Sequence, residues 1–350
     1  MQNGQQTAYM PSSTVNGIGP LPSEVDAAFL LKRFREMLLM RRFEEEAAKA
    51  YTERKIGGFL HLYIGQEAVG AGVLAATKPE DYIVCSYRLH AQYLVRNGTA
   101  KAGMAELFGK ATGCAGGRGG SMHFFSAENN FMGGHGIVGA QVPVAAGHAF
   151  ASKYRKDGRV TLCFMGDGAV SIGPFHEGMC LAALWKLPVV YIVENNFYSM
   201  GTPLSRTMVT EDASIRALGY PMARATYEGI DVVECYLAAK KAIDRAREES
   251  LPMLLEFKTY RYRGHSMADP GKYRTKEEVE EWKKKDPLDI VRSKIAKFFP
   301  SHTGEIKQIT EEVEAEIEEA VRFANESPEP DPKDVQLFTY VEENPKNMFF

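Results

Sequence analysis

One stretch, Val160 to Gly201, limits what this chain can become more than any other. It opens with a short apolar run, Val160 to Met165, that breaks at Gly166-Asp167-Gly168. A segment of helical length follows through Glu177, Leu181 and Leu184 and stops at Pro188. A second apolar run, Val189 to Val193, then breaks at Glu194-Asn195-Asn196. Apolar runs bounded by turn residues, with a helix between them, predict a βαβ unit whose parallel strands are buried on both faces. Both turns then fall at the carboxyl ends of neighbouring strands, where open α/β sheets bind ligands.

Those two turns carry specific chemistry. Asp167 offers a carboxylate, Asn196 a side-chain carbonyl, and the backbone at Tyr198 another carbonyl. All are hard oxygen donors, suited to a Mg²⁺ ion that completes its octahedron with phosphate oxygens and water. Gly166 and Gly168 let the backbone approach a phosphate, and a helix beginning after Gly168 would present free N–H groups to it. An isolated Asp-Gly or Asn-Asn turn is an ordinary strand cap. The pair, with 26 residues between them and each at a strand end, is much more specific.

GDG and NN at this spacing form the thiamine diphosphate motif. With ALWKLP before it and ENNFYSMGT after it, the chain resembles the alpha subunits of the decarboxylating component of pyruvate dehydrogenase, within the 2-oxo acid dehydrogenase family. The likeness runs from about Leu30 to about Asp331. It implies an α/β fold, a doubly wound parallel sheet of the thiamine-diphosphate-binding type, with N- and C-terminal helical extensions. It also implies thiamine diphosphate and Mg²⁺ as cofactors, with Asp167, Asn196 and Tyr198 on the metal and Gly168 and Ala169 beside the diphosphate.

Further strings extend the resemblance. GGFLHLYIGQEAVGAGVLAA, from Gly57 to Ala76, places His61 just before a helix of small residues. A lone histidine is ordinarily structural, but the resemblance puts His61 in the active site, where an imidazole can move a proton near neutral pH. DYIVCSYRLH reads as a strand ending at Tyr87 and Arg88, which the resemblance assigns to the diphosphate; a guanidinium forks naturally onto two oxygens. His90 remains open between site and scaffold. The Gly-rich run from Gly113 to Phe125 lacks a GK[ST] ending, so a P-loop is a poor reading. It is expected to be a mobile loop at the site mouth, with His123 as a further candidate. GGHGIVGA, Gly133 to Ala140, is implied to meet the aminopyrimidine ring through the backbone of Gly136 and Val138. The polar loop RYRGHSMADPGKYRTKEE brings Arg261, Arg263 and His265 within possible reach of phosphate, and the resemblance sets His265 on the diphosphate. Ser266 matches a serine phosphorylated in some relatives, but Ala268 and Lys272 depart from their pattern, which leaves kinase control in doubt.

Composition bounds the rest. With 350 residues, 45% apolar and 25% charged, the chain can bury a substantial core. A net charge of −3 gives no case for nucleic acid, and no apolar run reaches membrane-spanning length. Five cysteines without a CxxC suit a reducing compartment. The first basic residue is Lys32, which argues against a secretory signal or an Arg-rich transit peptide; the expected location is a bacterial-type cytoplasm. The expected organisation is a flexible tail over 1–22, one α/β domain over 23–331 and a C-terminal tail over 332–350. The charged helices near the C-terminus are expected to pack on a partner or on the sheet.

No segment here convincingly supplies the glutamate that thiamine chemistry needs beside the aminopyrimidine. The resemblance implies a beta subunit that provides it in an α2β2 heterotetramer, inactivity of this chain alone, and transfer of the acyl group to a lipoyl-bearing dihydrolipoyl acyltransferase. Pyruvate is the expected substrate, with acetoin and branched-chain 2-oxo acids as alternatives. A non-catalytic docking subunit would be expected to lose Asp167, Asn196, His61 or His265, and all are present. A nicotinamide-linked dehydrogenase would need a GxGxxG after an early strand, which is missing.

Overall fold

The structure is a computed structural model and describes residues 9–10 and 21–337. In chain order its elements begin with β1 (Tyr9–Met10), α1 (Ala27–Thr52), α2 (Glu67–Ala75), β2 (Tyr82–Ser86), α3 (His90–Val95) and α4 (Ala100–Leu107). They continue through β3 (Phe131–His135), α5 (Gln141–Arg155), β4 (Thr161–Gly166), α6 (Gly173–Leu184) and β5 (Val189–Asn195). A short antiparallel hairpin, β6 (Tyr198–Ser199) and β7 (Thr202–Pro203), leads to α7 (Leu204–Thr207). The chain ends through β8 (Ala223–Glu228), α8 (Val232–Glu249), β9 (Met253–Lys258), α9 (Lys276–Lys283), α10 (Pro287–Phe298) and α11 (Thr303–Glu326).

The main sheet runs β1-β8-β9-β5-β4-β2-β3, and every neighbouring pair is parallel. Alternation along its central strands splits the core in two. Leu162 and Phe164 of β4, with Val190 and Ile192 of β5, face the layer that holds α2 and α8. Cys163 and Met165, with Val189, Tyr191 and Val193, face the opposite layer, built from α5 and α6. Burial on both faces is why these strands read as unbroken apolar runs, and the doubly wound α/β class follows. After β2 the chain moves outward to β3, whereas after the adjacent β4 it moves the other way to β5. The crevice outside the ends of β2 and β4 is therefore a topological switch point.

Several expectations change. β3 and β8 were not foreseen as strands. The backbone after Gly168 first makes a 3-10 turn, Asp167–Ser171, and only then enters α6. The C-terminal helices α10 and α11 pack largely on this chain's own N-terminal helices rather than on the sheet. Val313, Ile317, Ala320 and Ala324 of α11 are buried, and Arg35–Glu316 at 2.6 Å and Lys101–Glu319 at 2.9 Å tie α11 to α1 and α4. Within the expected 1–22 tail, Tyr9–Met10 pair with β8; residues 1–8, 11–20 and 338–350 lie outside the described residues. No helix among the described residues is long and apolar enough to cross a membrane.

Candidate active site

A cavity of about 330 Å³ opens at the switch point, lined from the ends of β2, β4 and β5 and from the loop after β9. Asp167 enters it directly after β4 and is 2% exposed. Burial pushes its carboxyl above the usual range, partly offset by Ser199 Oγ, which donates to Oδ2 at 3.1 Å.

The Asn-Asn pair after β5 divides its work. Asn195 turns into the fold: its Nδ2 donates to Glu256 at 2.6 Å, and its Oδ1 accepts the Phe197 N–H at 3.0 Å. Asn196 faces the cavity, where its Nδ2 donates to Gln66 Oε1 at 3.0 Å. Phe197 and Met200 hold φ of +68° and +59°, left-handed values for side-chain-bearing residues. Such backbone costs on the order of 1–3 kcal/mol per residue and is commonly retained at functional loops. Tyr198 lines the cavity while its hydroxyl donates to Glu278 of α9 at 2.9 Å, leaving the backbone as the group to offer a cation.

Two buried guanidinium groups flank these oxygens. Arg88 is 6% exposed and Arg261 2% exposed, and among the described residues neither has a carboxylate ion-pair partner. Arg88 donates to the carbonyls of Leu62 and, at 2.7 Å, of His265. Arg261 donates to Met200 O at 3.0 Å, Tyr273 Oη at 2.9 Å and Asn196 Oδ1 at 3.4 Å. Burial, and secondarily the Arg261 charge, lower the Arg88 pKa to about 10. Glu44 and Glu194 act on Arg88, and Asp167 and Asp269 on Arg261, without a direct ion pair; buried guanidinium groups so placed favour an anion in the cavity.

His61 and His265 meet nearby, with ring centroids 5.2 Å apart; Tyr87 lies 4.6 Å from His61, and its hydroxyl lies 3.5 Å from His265 Nε2. Burial first, then the Arg88 charge, lowers His61 to about 2 and His265 to about 4. Both are therefore neutral at physiological pH. Glu194, at the end of β5, is raised by burial to about 7 and accepts from Tyr63 Oη and, at 3.1 Å, from Gln92 Nε2.

The cavity thus gathers Tyr87, Arg88, Val138, Asp167, Gly168, Ala169, Asn196, Tyr198 and His265 of the expected set. His61 abuts it through Tyr87 and His265. Gly136 sits beside His123, whose Nδ1 bonds Gly134 O at 2.9 Å; His123 is thus tied to scaffold rather than lining the cavity. His90 is also outside the lining, fully buried between Glu44 and Ser121. Arg263 is exposed and contributes only its carbonyl, to Arg261 and Arg274, whereas Arg261, from a loop that looked too polar for core, is buried. The Gly-rich loop expected to be mobile is instead tied to Glu106, whose carboxylate accepts four backbone N–H groups, from Ala115, Gly117, Gly119 and Gly120. Gln66, Gln141 and Glu194 line the cavity without having been singled out. Gln66 falls within GGFLHLYIGQEAVGAGVLAA and Gln141 directly follows GGHGIVGA, so the signal lay in or beside strings already singled out.

The donor set can be tested for fit. Gln66 Nε2, Gln141 Oε1, His61 Nδ1 and His265 Nδ1 are buried and lack hydrogen-bond partners among the described residues. Buried polar groups are rarely left so; Gln66, Gln141 and His265 line the cavity, and His61 abuts it. The described residues contain no group of three or more His, Cys, Asp or Glu able to hold a metal. Asp167 is the one carboxylate among the expected ligands, so a divalent ion would need anionic oxygens from a second ligand, as a diphosphate supplies. The residues fit a diphosphate with a hard divalent cation.

A doubly wound parallel sheet with a diphosphate-and-cation cavity at its switch point defines the class. The particular family is the dehydrogenase E1 component, to which the chain belongs: the family model matches residues 35–333. Similar curated proteins include the pyruvate dehydrogenase E1 component subunit alpha of Rickettsia felis, 48% identical over 311 residues, covering 89% of this chain and 95% of the relative. The subunit of the same name from Rhizobium meliloti is 47% identical over 302 residues, covering 86% and 87%. That from Zymomonas mobilis is 44% identical over 327 residues, covering 92% and 91%.

Proposed function

We propose that this chain is the alpha subunit of a pyruvate dehydrogenase E1 component, holding thiamine diphosphate and Mg²⁺ and decarboxylating pyruvate together with a beta subunit. The observation that carries this reading is the pair of buried arginines, Arg88 and Arg261, neither in a direct ion pair among the described residues, beside the carboxylate of Asp167. That charge pattern suits a diphosphate bridged to the protein by one divalent cation. Similarity to relatives named pyruvate dehydrogenase E1 component subunit alpha supports the substrate.

In this assignment Asp167, Asn196 and the Tyr198 carbonyl hold Mg²⁺. Tyr87, Arg88, His265 and the turn at Gly168 and Ala169 hold the diphosphate, and Gly136 and Val138 offer backbone groups to the aminopyrimidine. Bound thiamine diphosphate supplies the electron sink for loss of CO₂ from a 2-oxo acid. His265, neutral and with a free Nδ1, can bond an anionic oxygen without adding charge. His61, equally neutral, can donate an N–H hydrogen bond to a developing oxyanion at the substrate side near the acyl-transfer step. The beta subunit supplies the missing glutamate in an α2β2 heterotetramer, and the acyl acceptor is the lipoyl group of a dihydrolipoyl acyltransferase. A single α/β domain over 23–331 between two tails, working in a bacterial-type cytoplasm, completes the assignment.

The test is turnover of pyruvate, 2-oxoisovalerate and acetoin by the co-expressed alpha and beta subunits, with thiamine diphosphate, Mg²⁺ and an artificial electron acceptor. Pyruvate is expected to be preferred, and Asp167→Ala to lower kcat by at least about a hundredfold, in line with loss of a charge-stabilising group. Preference for another substrate would overturn the pyruvate assignment. No turnover of any of them by an assembled, cofactor-loaded protein would overturn the enzymatic one.

A further inference from the structure

We propose that Ser121, held by a buried Glu44–His90 pair, is a positioning residue for His61; the inference rests on the role given to His61 above. The His61 ring is nearly bare of polar restraint. Its Nδ1 is buried without a partner among the described residues, and its ring neighbours are Tyr87, His265 and, at 6.2 Å, Phe59. Its position must therefore come largely from its backbone.

That backbone is pinned at two alternate amides by one connected set of groups. The His61 N–H donates to Ser121 Oγ at 3.2 Å, and the Tyr63 N–H donates to Glu44 Oε1 at 3.0 Å. His90 joins the two anchors: its Nδ1 lies 3.0 Å from Glu44 Oε2, and its Nε2 lies 3.0 Å from both the hydroxyl and the carbonyl oxygen of Ser121. Glu44 is 1% exposed, His90 0%, Ser121 3% and His61 5%. Hydrogen bonds to charged groups in such surroundings are among the stronger ones.

An acid–histidine–serine series invites a nucleophilic reading, and the geometry argues against it. The Ser121 hydroxyl is occupied by a backbone N–H and an imidazole, and Ser121 does not line the cavity. It acts on position instead. Ser121 also follows directly on the loop whose amides converge on Glu106, so its own backbone is supported from a second side. Removing its hydroxyl deletes a restraint on His61 while opening little space, which allows the fold to survive the substitution.

The experiment compares Ser121→Ala, His61→Ala and the double variant in the assembled alpha–beta holoenzyme. Turnover with an artificial acceptor and reductive acylation of a lipoyl domain are measured separately, with KM for pyruvate and the affinity for thiamine diphosphate. His61→Ala identifies the step that His61 serves. Ser121→Ala is expected to lower kcat of that step by about tenfold to a hundredfold, the scale of a small misplacement, with KM and cofactor affinity unchanged. The double variant is expected to be no slower than His61→Ala alone. Losses that multiply in the double variant, or that fall equally on both steps, would overturn the proposal. A second readout does not depend on turnover: amide hydrogen exchange at His61 should quicken by about tenfold in Ser121→Ala, as loss of one hydrogen bond predicts. Unchanged exchange there would overturn the positioning role even if the enzymatic assignment stands. A wild-type complex that turns over no 2-oxo acid would sink the parent reading, and the exchange result would still decide this one.

Discussion

Arg88 and Arg261 bury positive charge with no direct carboxylate ion pair among the described residues, and of two neutral histidines His265 lines the same pocket while His61 abuts it. The histidines carry a measurable consequence. An unfolded histidine binds a proton near pH 6.5, whereas folded His265 resists protonation until about 4 and His61 until about 2. At these two positions the unfolded chain holds more protons, so the histidines' own contribution to stability falls as pH is lowered from about 6.5 toward 4, while Glu194, raised to about 7, acts in the opposite sense. Denaturant midpoints of wild type and His265→Gln, each assembled and cofactor-free, are compared between pH 7 and pH 4, and wild type should lose stability on acidification relative to the variant. An identical slope in the variant would contradict the assigned neutrality. At this scale Asp167, Asn196, Tyr87 and Arg88 were legible because each stands at the end of a recognisable strand. Arg261 was weighed only as a phosphate contact on a polar loop, because its burial comes from Met200 and Tyr273, which the sequence does not place beside it.

Among the elements, β4, β5 and β9 were readable because strands buried on both faces leave continuous apolar runs. β8, ARATYE, is only partly buried and lies near the sheet edge beside β1, so it shows neither an apolar run nor a clean alternation. β3, FMGGH, spends two of its five positions on glycine. Gly134 lies so close to Leu89 and to the Met122 carbonyl that a Cβ would meet them at 2.0 and 2.1 Å, so packing overrides strand propensity there. The loop after α4 shows a similar gap between composition and structure. Its glycines suggest freedom, yet Glu106, fully buried, gathers four of its amides. Hydrogen bonds to charged groups contribute about 1.5–3 kcal/mol each, net of the water bonds they replace, and amides freed at a loop recover part of this by solvation. Glu106→Ala is therefore expected to destabilise the protein by about 3 kcal/mol and to make Arg118 a site of rapid tryptic cleavage. Unchanged stability and an intact loop would show that the carboxylate does not hold it.

For the molecule as a whole, the βαβ unit located the binding crevice because a parallel sheet leaves few places where neighbouring strands lead in opposite directions. The packing of α11 back onto α1 and α4 was harder to see, since an apolar stripe does not say which surface covers it. The central claim is that this chain carries the diphosphate-and-metal half of a thiamine diphosphate site. Calorimetric titration of the assembled alpha–beta protein with thiamine diphosphate tests it most directly, with and without Mg²⁺, in wild type and in Asp167→Ala. Wild type should bind tightly only with Mg²⁺, and Asp167→Ala should lose most of that metal-dependent affinity. Equal binding with and without the ion, or undiminished binding by the variant, would contradict the account.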